Sequence, residues 1–445
     1  MIIQRADINN LIAWKNSRGR KPLILQGARQ VGKTWLLKNF GQNEFESVAY
    51  FNFDGQPELK QFFLITKDTK RIIQNLSLVH GKSILPEKTL IIFDEIQECR
   101  DALNALKYFC EDSPEYCIAC AGSLLGIALS RGASFPVGKV DFMQIYPVSF
   151  SEFLSVADPS LSKYLNSIKN LEPIPDIFFH PLVDKFKMYF LSGGMPEAIV
   201  ALLDVGDVSL MQTVLQNILN AYSLDFSKHV ANKDIPKINY IWTSLPSQLA
   251  RVNKKFLYQT VKSSARARDY EDALLWLINE GLAYKVNCSN KPAMPLSAYD
   301  DLSAFKVYTF DVGLLRRLSR LDPLAIAEGN RLFTEFKGAL TENYVLESLV
   351  QQFEGTPRYW NSGNKAEVDF LIQYRNEIIP IEVKSDENIR SKSLAIYRKT
   401  YSPKLSIRFS LRNLKYDDGL LNIPLFMADY TKNIVDDLLN TYQCR

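Results

Sequence analysis

Toward its N-terminus the chain alternates short apolar runs with amphipathic stretches. Pro22-Leu-Ile-Leu-Gln26, Ser47-Val-Ala-Tyr-Phe-Asn-Phe53, Thr89-Leu-Ile-Ile-Phe-Asp94 and Tyr116-Cys-Ile-Ala-Cys-Ala121 read as strands, with Lys139 to Ile145 a candidate fifth. Runs apolar at successive positions, Thr89 to Phe93 above all, suit strands buried on both faces of a parallel sheet. Thr34-Trp-Leu-Leu-Lys-Asn-Phe40 reads as a helix following the first run closely. The pattern predicts an α/β sheet for this part of the chain.

The middle of the chain is mainly helical. After Pro147, Ser149-Phe-Ser-Glu-Phe-Leu154 opens with a capping pattern and an apolar periodic face. Asp158 to Asp176 reads as an insertion or loop rich in Pro, Ser, Asn and Asp. Gly193-Gly194 breaks one helix, and Pro196 suits the first turn of another. Between Ile238 and Val286 three helices are predicted, at Leu245 to Ala250, Tyr258 to Ser264 and Ala267 to Glu280. Gly281 stops the third, and Leu282 to Val286 starts a strand. That order matches a small helix-to-wing module of the DNA-binding type. Arg266 and Arg268 head its third helix and suit a phosphate, either DNA's or a nucleotide's, while Lys254, Lys255 and Lys262 add local charge. The alternative is a module that packs against protein with its basic residues solvated.

Toward the C-terminus a helix is predicted over Phe333 to Gln352. Strands follow at Arg358 to Trp360, Glu367 to Ile372 and Ile378 to Lys384, separated by turns at Ser362 to Asn364 and Arg375 to Glu377. A helix over Ile389 to Tyr401 and a strand over Leu405 to Ser410 complete the pattern.

Two constellations carry chemistry. Gly27, Ala28, Arg29, Gln30, Val31, Gly32, Lys33 and Thr34 spell G-x-x-x-x-G-K-[ST] between a strand and a helix. Backbone amides of such a loop wrap phosphates while the helix N-terminus faces their charge. Gly27 and Gly32 permit the tight turn, because a Cβ would crowd the ligand. Lys33 is assigned to the β- and γ-phosphates of ATP, and the Thr34 hydroxyl to Mg²⁺. Asp94 and Glu95 end the third run, Asp94 placed to hold Mg²⁺ and Glu95 to polarise the attacking water. Ser123, after Gly122 at the end of the fourth strand, is the candidate γ-phosphate sensor; the plain alternative is a Gly-Ser turn. Together the motifs indicate ATP hydrolysis more than passive binding.

In the second constellation, Glu382 and Lys384 lie two apart on a strand and leave the same face, while Val383 and Phe370 point into the core. Pairing the two strands would bring Asp369 beside Glu382. Two carboxylates could then hold Mg²⁺ or Mn²⁺, with Lys384 orienting water or stabilising developing charge. Glu342 is a further candidate ligand, Lys392 a candidate phosphate contact, and Glu367, two before Asp369, competes for the ligand assignment. The alternatives are the solvent face of an ordinary hairpin, or a fold kept for binding alone.

GARQVGKT, IIFDEIQE, AGSLLG, IYPVSFSEFL (Ile145 to Leu154) and YFLSGGMPEA (Tyr189 to Ala198) resemble a group of prokaryotic AAA-superfamily ATPases related to archaeal ATPases and carrying a C-terminal domain of unknown function. The likeness continues through LPSQLARVNKKF, DVGLL, KGALTENYV, EVDFLI and IPIEVK. It implies a P-loop NTPase parallel sheet over residues 1–155, a helical lid over 156–235, a winged-helix module over 236–300 and a nuclease-like domain over 301–445. The helix, meander, helix and strand order, with Asp369 and then Glu382-Val-Lys384, resembles the restriction-endonuclease-like fold and its D…E-x-K motif. The group often has Gly-Arg where this chain has Gly138-Lys139, and lysine lacks arginine's bidentate contact to phosphate. Hydrolysis of this type often needs an arginine from a neighbouring subunit; Arg29, Arg100 and Arg131 lie near the motifs in sequence.

With 445 residues, 47% hydrophobic and 23% charged, the chain suits about three domains with sizeable cores. A formal net charge of +4 permits nucleic-acid binding without arguing for it. Double-stranded DNA, another protein or a second copy of the chain are the candidate partners beside ATP. No membrane span or signal-peptide core is read, and the expected location is cytoplasmic. Cys99, Cys110, Cys117, Cys120, Cys288 and Cys444 show no disulfide framework. Cys117 and Cys120 form a lone C-x-x-C inside a predicted strand, which favours buried packing over zinc or redox chemistry. His80, His180 and His229 form no metal spacing.

Overall fold

A computed structural model describes residues 1–122, 136–229, 232–328, 334–363, 365–385 and 391–443. The chain forms two compact units, Gln4–Tyr146 and Pro147–Arg445, the second joined by Met1–Ile3.

In the first unit, β1 (Leu23–Gln26), β2 (Ser47–Asn52), β3 (Thr89–Asp94), β4 (Cys117–Ala121) and β5 (Asp141–Gln144) form a sheet in the order β2-β3-β4-β1-β5. Every pairing is parallel. Helices α1 (Asp7–Lys15), α2 (Lys33–Glu44), α3 (Lys60–Ile65), α4 (Thr69–His80) and α5 (Arg100–Asp112) accompany it. β3 and β4 are buried at every position, as strands covered on both faces must be. Ile91 and Phe93 share a core with Ile72 and Leu76 of α4 and with Leu106 and Phe109 of α5. α2 packs against β2, β3 and β4. Because the strands run parallel, the loop after β1 and the acidic end of β3 emerge at the same end of the sheet, with β4 between them. Cys117 and Cys120 are buried within β4, and burial pushes the Cys117 thiol up to about 11. The C-x-x-C spacing is strand packing.

The second unit begins with helices. They are α6 (Phe150–Ala157), α7 (Pro159–Ser167), α8 (Asp176–Ser192), α9 (Pro196–Leu203), α10 (Val208–His229), α11 (Ile235–Leu249), α12 (Tyr258–Val261) and α13 (Ala267–Asn279). Ser149 and Glu152 form the anticipated capping box at α6. Two expectations need correction. Asp158 to Asp176 is not an insertion loop throughout: Asp158 caps α7 by accepting from Leu161 N at 3.0 Å, and Leu161 and Leu165 are buried. An Asp-Pro start outweighs the polar composition that follows it. Leu245 to Ala250 is not a separate short helix but the end of α11, whose apolar face runs through Ile238, Ile241, Trp242, Leu245 and Leu249.

An eight-stranded mixed sheet follows, built from β6 (Ala283–Ser289), β7 (Asp300–Thr309), β8 (Arg358–Asn361), β9 (Glu367–Tyr374), β10 (Glu377–Val383), β11 (Ser406–Ser410), β12 (Lys415–Asp417) and β13 (Leu420–Pro424). Its order is β12-β13-β11-β10-β9-β8-β6-β7. The β6–β7 hairpin therefore forms one edge of this sheet, and β6 pairs in parallel with β8. Helices α14 (Val312–Leu318), α15 (Pro323–Glu328), α16 (Thr334–Gln352), α17 (Lys392–Tyr401) and α18 (Thr431–Gln443) complete the unit.

The Gly193-Gly194 break has a packing role. Asp311 accepts from Gly194 N at 2.6 Å and caps α14 by accepting from Leu314 N at 2.8 Å. A Cβ on Gly193, which sits at φ +62, would lie 2.4 Å from Asp311 Oδ1, and one on Gly313 would lie 2.3 Å from Ser192 O. Glycine is required for the two turns to meet this closely. Burial pushes the Asp311 carboxyl up to about 6 despite these amide donors. A carboxyl raised on folding adds stability that is complete below its unfolded value and lost as pH rises through its folded one. Asp311→Asn should therefore remove about 2 kcal/mol of stability loss between about pH 4 and about pH 7, measured by denaturant unfolding at both.

Candidate functional site

At the C-terminal ends of the parallel strands, β1 runs into the Gly27–Gly32 loop and α2 starts at Lys33. Gly27, at φ +139, could not carry a Cβ, which would lie 2.2 Å from Ile145 O; Gly32 adopts φ +95 as the cap of α2. Gln30 is also left-handed, at φ +62. The Lys33 ammonium lies in the loop, donating to Gly27 O and Ala28 O at 2.7 Å each. Thr34 Oγ1 lies 3.1 and 3.0 Å from the two Asp94 oxygens. A hydroxyl and a carboxylate this close, beside a glycine cradle, fit a Mg²⁺ ion with its nucleotide.

Glu95 follows Asp94 at φ +50, and its carboxylate accepts from Gln97 Nε2. Arg29 is half-buried, and Arg100 is the exposed first residue of α5. Lys139 pairs with Glu111 at 2.9 Å. Ser123 and Arg131 lie outside the described residues.

Two residues of this site were not found from the sequence. Tyr50 donates to Asp94 Oδ2 at 2.7 Å, and burial, then the bond to Asp94, push its phenol up to about 12, so it stays a donor. This contact depends on strand order: β2 lies next to β3 with Asn52 opposite Asp94, and Tyr50 is two residues before Asn52 on the same face of β2. Arg5 is buried and donates to Val31 O at 3.0 Å and Tyr146 O at 2.8 Å, bracing the loop from behind. No local sequence pattern marks it.

The second constellation gathers in the mixed sheet. β9 and β10 pair antiparallel as far as Ile381 opposite Phe370, and Glu382 and Asp369 are the next residues along the two strands. Asp369 Oδ2 accepts from Val383 N at 2.8 Å. Lys384 Nζ lies 2.6 Å from Glu382 Oε1, whereas Glu382 Oε2 is buried and has no hydrogen-bond partner among the described residues. Burial, then the Glu342 and Glu382 charges, push the Asp369 carboxyl well above the usual carboxylate range. Asp369, Glu382 and Lys384 are thus brought together, and the orphaned buried oxygen fits a cation held by Asp369 and Glu382.

Neighbouring carboxylates are held differently. Glu342, on α16, is paired with Lys254 at one oxygen and accepts from Tyr308 OH at the other, 3.1 Å away. Burial opposes its ionisation, but Lys254 and Lys306 outweigh that and hold its pKa below the usual range. Glu367 does not join Asp369: it takes Lys306 Nζ at 2.5 Å and Asn361 Nδ2 at 3.2 Å. Lys306 is almost wholly buried, and burial would lower its pKa, yet Glu367, Glu342 and Asp369 raise it. Lys392 is exposed at the start of α17. Among the described residues no three His, Cys, Asp or Glu side chains converge to hold a metal ion. Lys262, Arg266 and Arg268 are exposed near the start of α13.

Residues 19–154 match the family model of an AAA domain. Two models for domains of unknown function match residues 183–325 (DUF8612) and 337–427 (DUF4143). No curated protein matches the chain. Among solved structures it is similar to the Walker-type ATPase PABY2304 of Pyrococcus abyssi, at 14% identity over 72% of this chain and 96% of that one, with a TM-score of 0.45. It is similar to the Aeropyrum pernix ORC1 protein in complex with DNA, at 9% identity over 73% of this chain and 94% of that one, TM-score 0.30. The Thermotoga maritima RuvB Holliday junction branch migration motor shares 11% identity over 66% of this chain and 91% of that one, TM-score 0.30. The loop geometry, the parallel sheet and the AAA match agree, and the N-terminal unit is an AAA-type P-loop ATPase domain with a second, mixed-sheet unit following it.

Proposed function

We propose that this chain is a cytoplasmic, Mg²⁺-dependent ATPase whose second unit acts on DNA. In this reading residues 156–235 serve as a helical lid, 236–300 as a winged-helix module and 301–445 as a restriction-endonuclease-like domain. The observation that carries the ATPase reading is the Thr34 hydroxyl set against both Asp94 oxygens beside the glycine loop. The loop amides bind the phosphates, and Lys33 exchanges its two backbone carbonyls for phosphate oxygens. Bound Mg²⁺ neutralises phosphate charge. Thr34 and Asp94 would hold the ion, and Tyr50, which donates to Asp94 Oδ2, would fix that carboxylate in place. Glu95 orients the attacking water and accepts its proton.

For the second unit, the reading rests on Asp369 and Glu382 standing abreast with Lys384 beside Glu382. No helix of the described residues is long and apolar enough to cross a membrane. If the basic head of α13 meets DNA, affinity should fall steeply with salt. Replacing Lys262, Arg266 and Arg268 by Ala should weaken it on all sequences and lower the salt slope by about three. Fluorescence anisotropy with duplexes of unrelated sequence, at several salt concentrations with nucleotide present, tests this. Salt-independent or absent binding favours the second reading, a nucleotide-gated switch whose C-terminal domain only recognises a protein. One observation speaks for that alternative: Lys254, Lys306 and Lys384 already pair with Glu342, Glu367 and Glu382.

A further inference from the structure

Four carboxylates, Glu342, Glu367, Asp369 and Glu382, face three lysines in the mixed sheet and its flanking elements. Each lysine takes a different partner: Lys254 takes Glu342, Lys306 takes Glu367 and Lys384 takes Glu382. Lys306 and Lys384 arise from the sheet itself or its edge, and Lys384 is the lysine of the E-x-K spacing. Lys254 has a different origin. It comes from the segment between α11 and α12, where it adopts φ +50 and its amide donates to Arg251 O at 3.2 Å. Two residues on, Phe256 N donates to Phe305 O at 2.8 Å, and the two rings stack with centroids 5.5 Å apart. The segment is therefore pinned to β7 one residue before Lys306. From that anchor the Lys254 side chain, 17% exposed, reaches a Glu342 side chain that is 6% exposed.

A left-handed backbone at a residue other than Gly, Asn or Asp is disfavoured and persists where the surroundings hold it. Here the ammonium it delivers completes Glu342, whose other oxygen accepts from Tyr308. Glu342, like Glu367, thus has both oxygens satisfied by protein. Glu382 retains a buried oxygen without a partner among the described residues. Glu342 lies close enough to Asp369 for their charges to interact, yet among the described residues no three acidic side chains converge on a point. A divalent ion here would be held by Asp369 and Glu382, with Glu342 already paired to Lys254.

We infer that Lys254 stands in for a second cation: it holds Glu342 out of the Asp369 and Glu382 site and limits that site to one divalent ion. The inference rests on the metal-binding reading of the second unit and sets its stoichiometry. A tethered ammonium is a single charge at a fixed point, whereas a hard divalent ion would draw on several oxygens at once. Removing the ammonium frees one Glu342 oxygen and leaves a buried carboxylate in need of a cation.

The test is a count of Mn²⁺ bound by the nucleotide-free full chain, by electron paramagnetic resonance of the free ion. All chains carry Asp94→Asn, so that the ATPase site contributes no ion. The expected result is one Mn²⁺ per chain with Lys254 in place and two for Lys254→Met, which keeps the stem and loses the charge. Lys254→Met with Glu342→Gln should return to one. Lys254→Gln, which can still donate to Glu342, should also bind two, and it serves if the Met variant does not fold. An unchanged count and affinity in the Lys254 variants overturns the inference while leaving the metal reading intact. No Mn²⁺ bound by any of these chains overturns the metal reading, and the inference with it.

Discussion

Lys33→Ala should all but abolish ATP binding, whereas Glu95→Gln should keep it and lose turnover. Lys33 is buried in the loop with its ammonium on Gly27 O and Ala28 O, so it meets phosphate at little cost in ordering. Deleting such a buried charge partner costs about 2–5 kcal/mol, or roughly 30- to 5,000-fold in affinity. Glu95 lies outside the phosphate cradle, in a left-handed turn fixed by Gln97. Its amide analogue has the same shape but cannot accept a proton from water, so hydrolysis should fall roughly 10²- to 10⁴-fold. Titration with a fluorescent ATP analogue and steady-state phosphate release separate the two effects. Wild-type turnover in Glu95→Gln would show that another group activates the water.

The second large effect concerns the mixed-sheet site. Asp369→Ala or Glu382→Ala should abolish divalent-ion binding there and any DNA cleavage, because each removes one of two available hard oxygen ligands. Lys384→Ala should leave ion binding intact or stronger, since Glu382 Oε1 is then released from the ammonium 2.6 Å away. Cleavage should nevertheless slow, because the charge that acts on the attacking water or developing phosphorane is gone. ATP hydrolysis should survive all three changes, as these residues lie outside Gln4–Tyr146. Plasmid and linear DNA, incubated with and without ATP and Mn²⁺, give the cleavage readout, and Mn²⁺ titration gives the binding. Intact ion binding in Asp369→Ala would overturn the ligand assignment. Bound ion without cleavage of any DNA form would make the domain a recognition module.

The parallel sheet was legible because its determinants are local. The runs ending at Gln26, Asp94 and Ala121 are apolar at consecutive positions, and the glycines at 27 and 32 occupy the left-handed backbone their spacing implied. The pairing of Asp369 with Glu382 was legible for a similar reason, since the tight turn at Arg375 fixes the hairpin register and period two does the rest. What escaped notice depends on order in space. Arg5 reaches across 141 residues to Tyr146, and Tyr50 meets Asp94 only because β2 lies next to β3. Lys254 and Glu342 are 88 residues apart, and nothing in either neighbourhood announces the other. The parallel pairing of β6 with β8, which joins the hairpin to the larger sheet, has no local signature. α7 was missed on composition alone, although Asp158-Pro159 carried its start signal.

The most direct test of the account is phosphate release by the full chain with ATP and Mg²⁺, beside the same reaction in EDTA and the same reaction by Asp94→Asn. If Thr34 and Asp94 share the ion, turnover should require Mg²⁺ and be lost in both controls, while ATP still binds the loop. Turnover that persists in EDTA, or undiminished in Asp94→Asn, would contradict it.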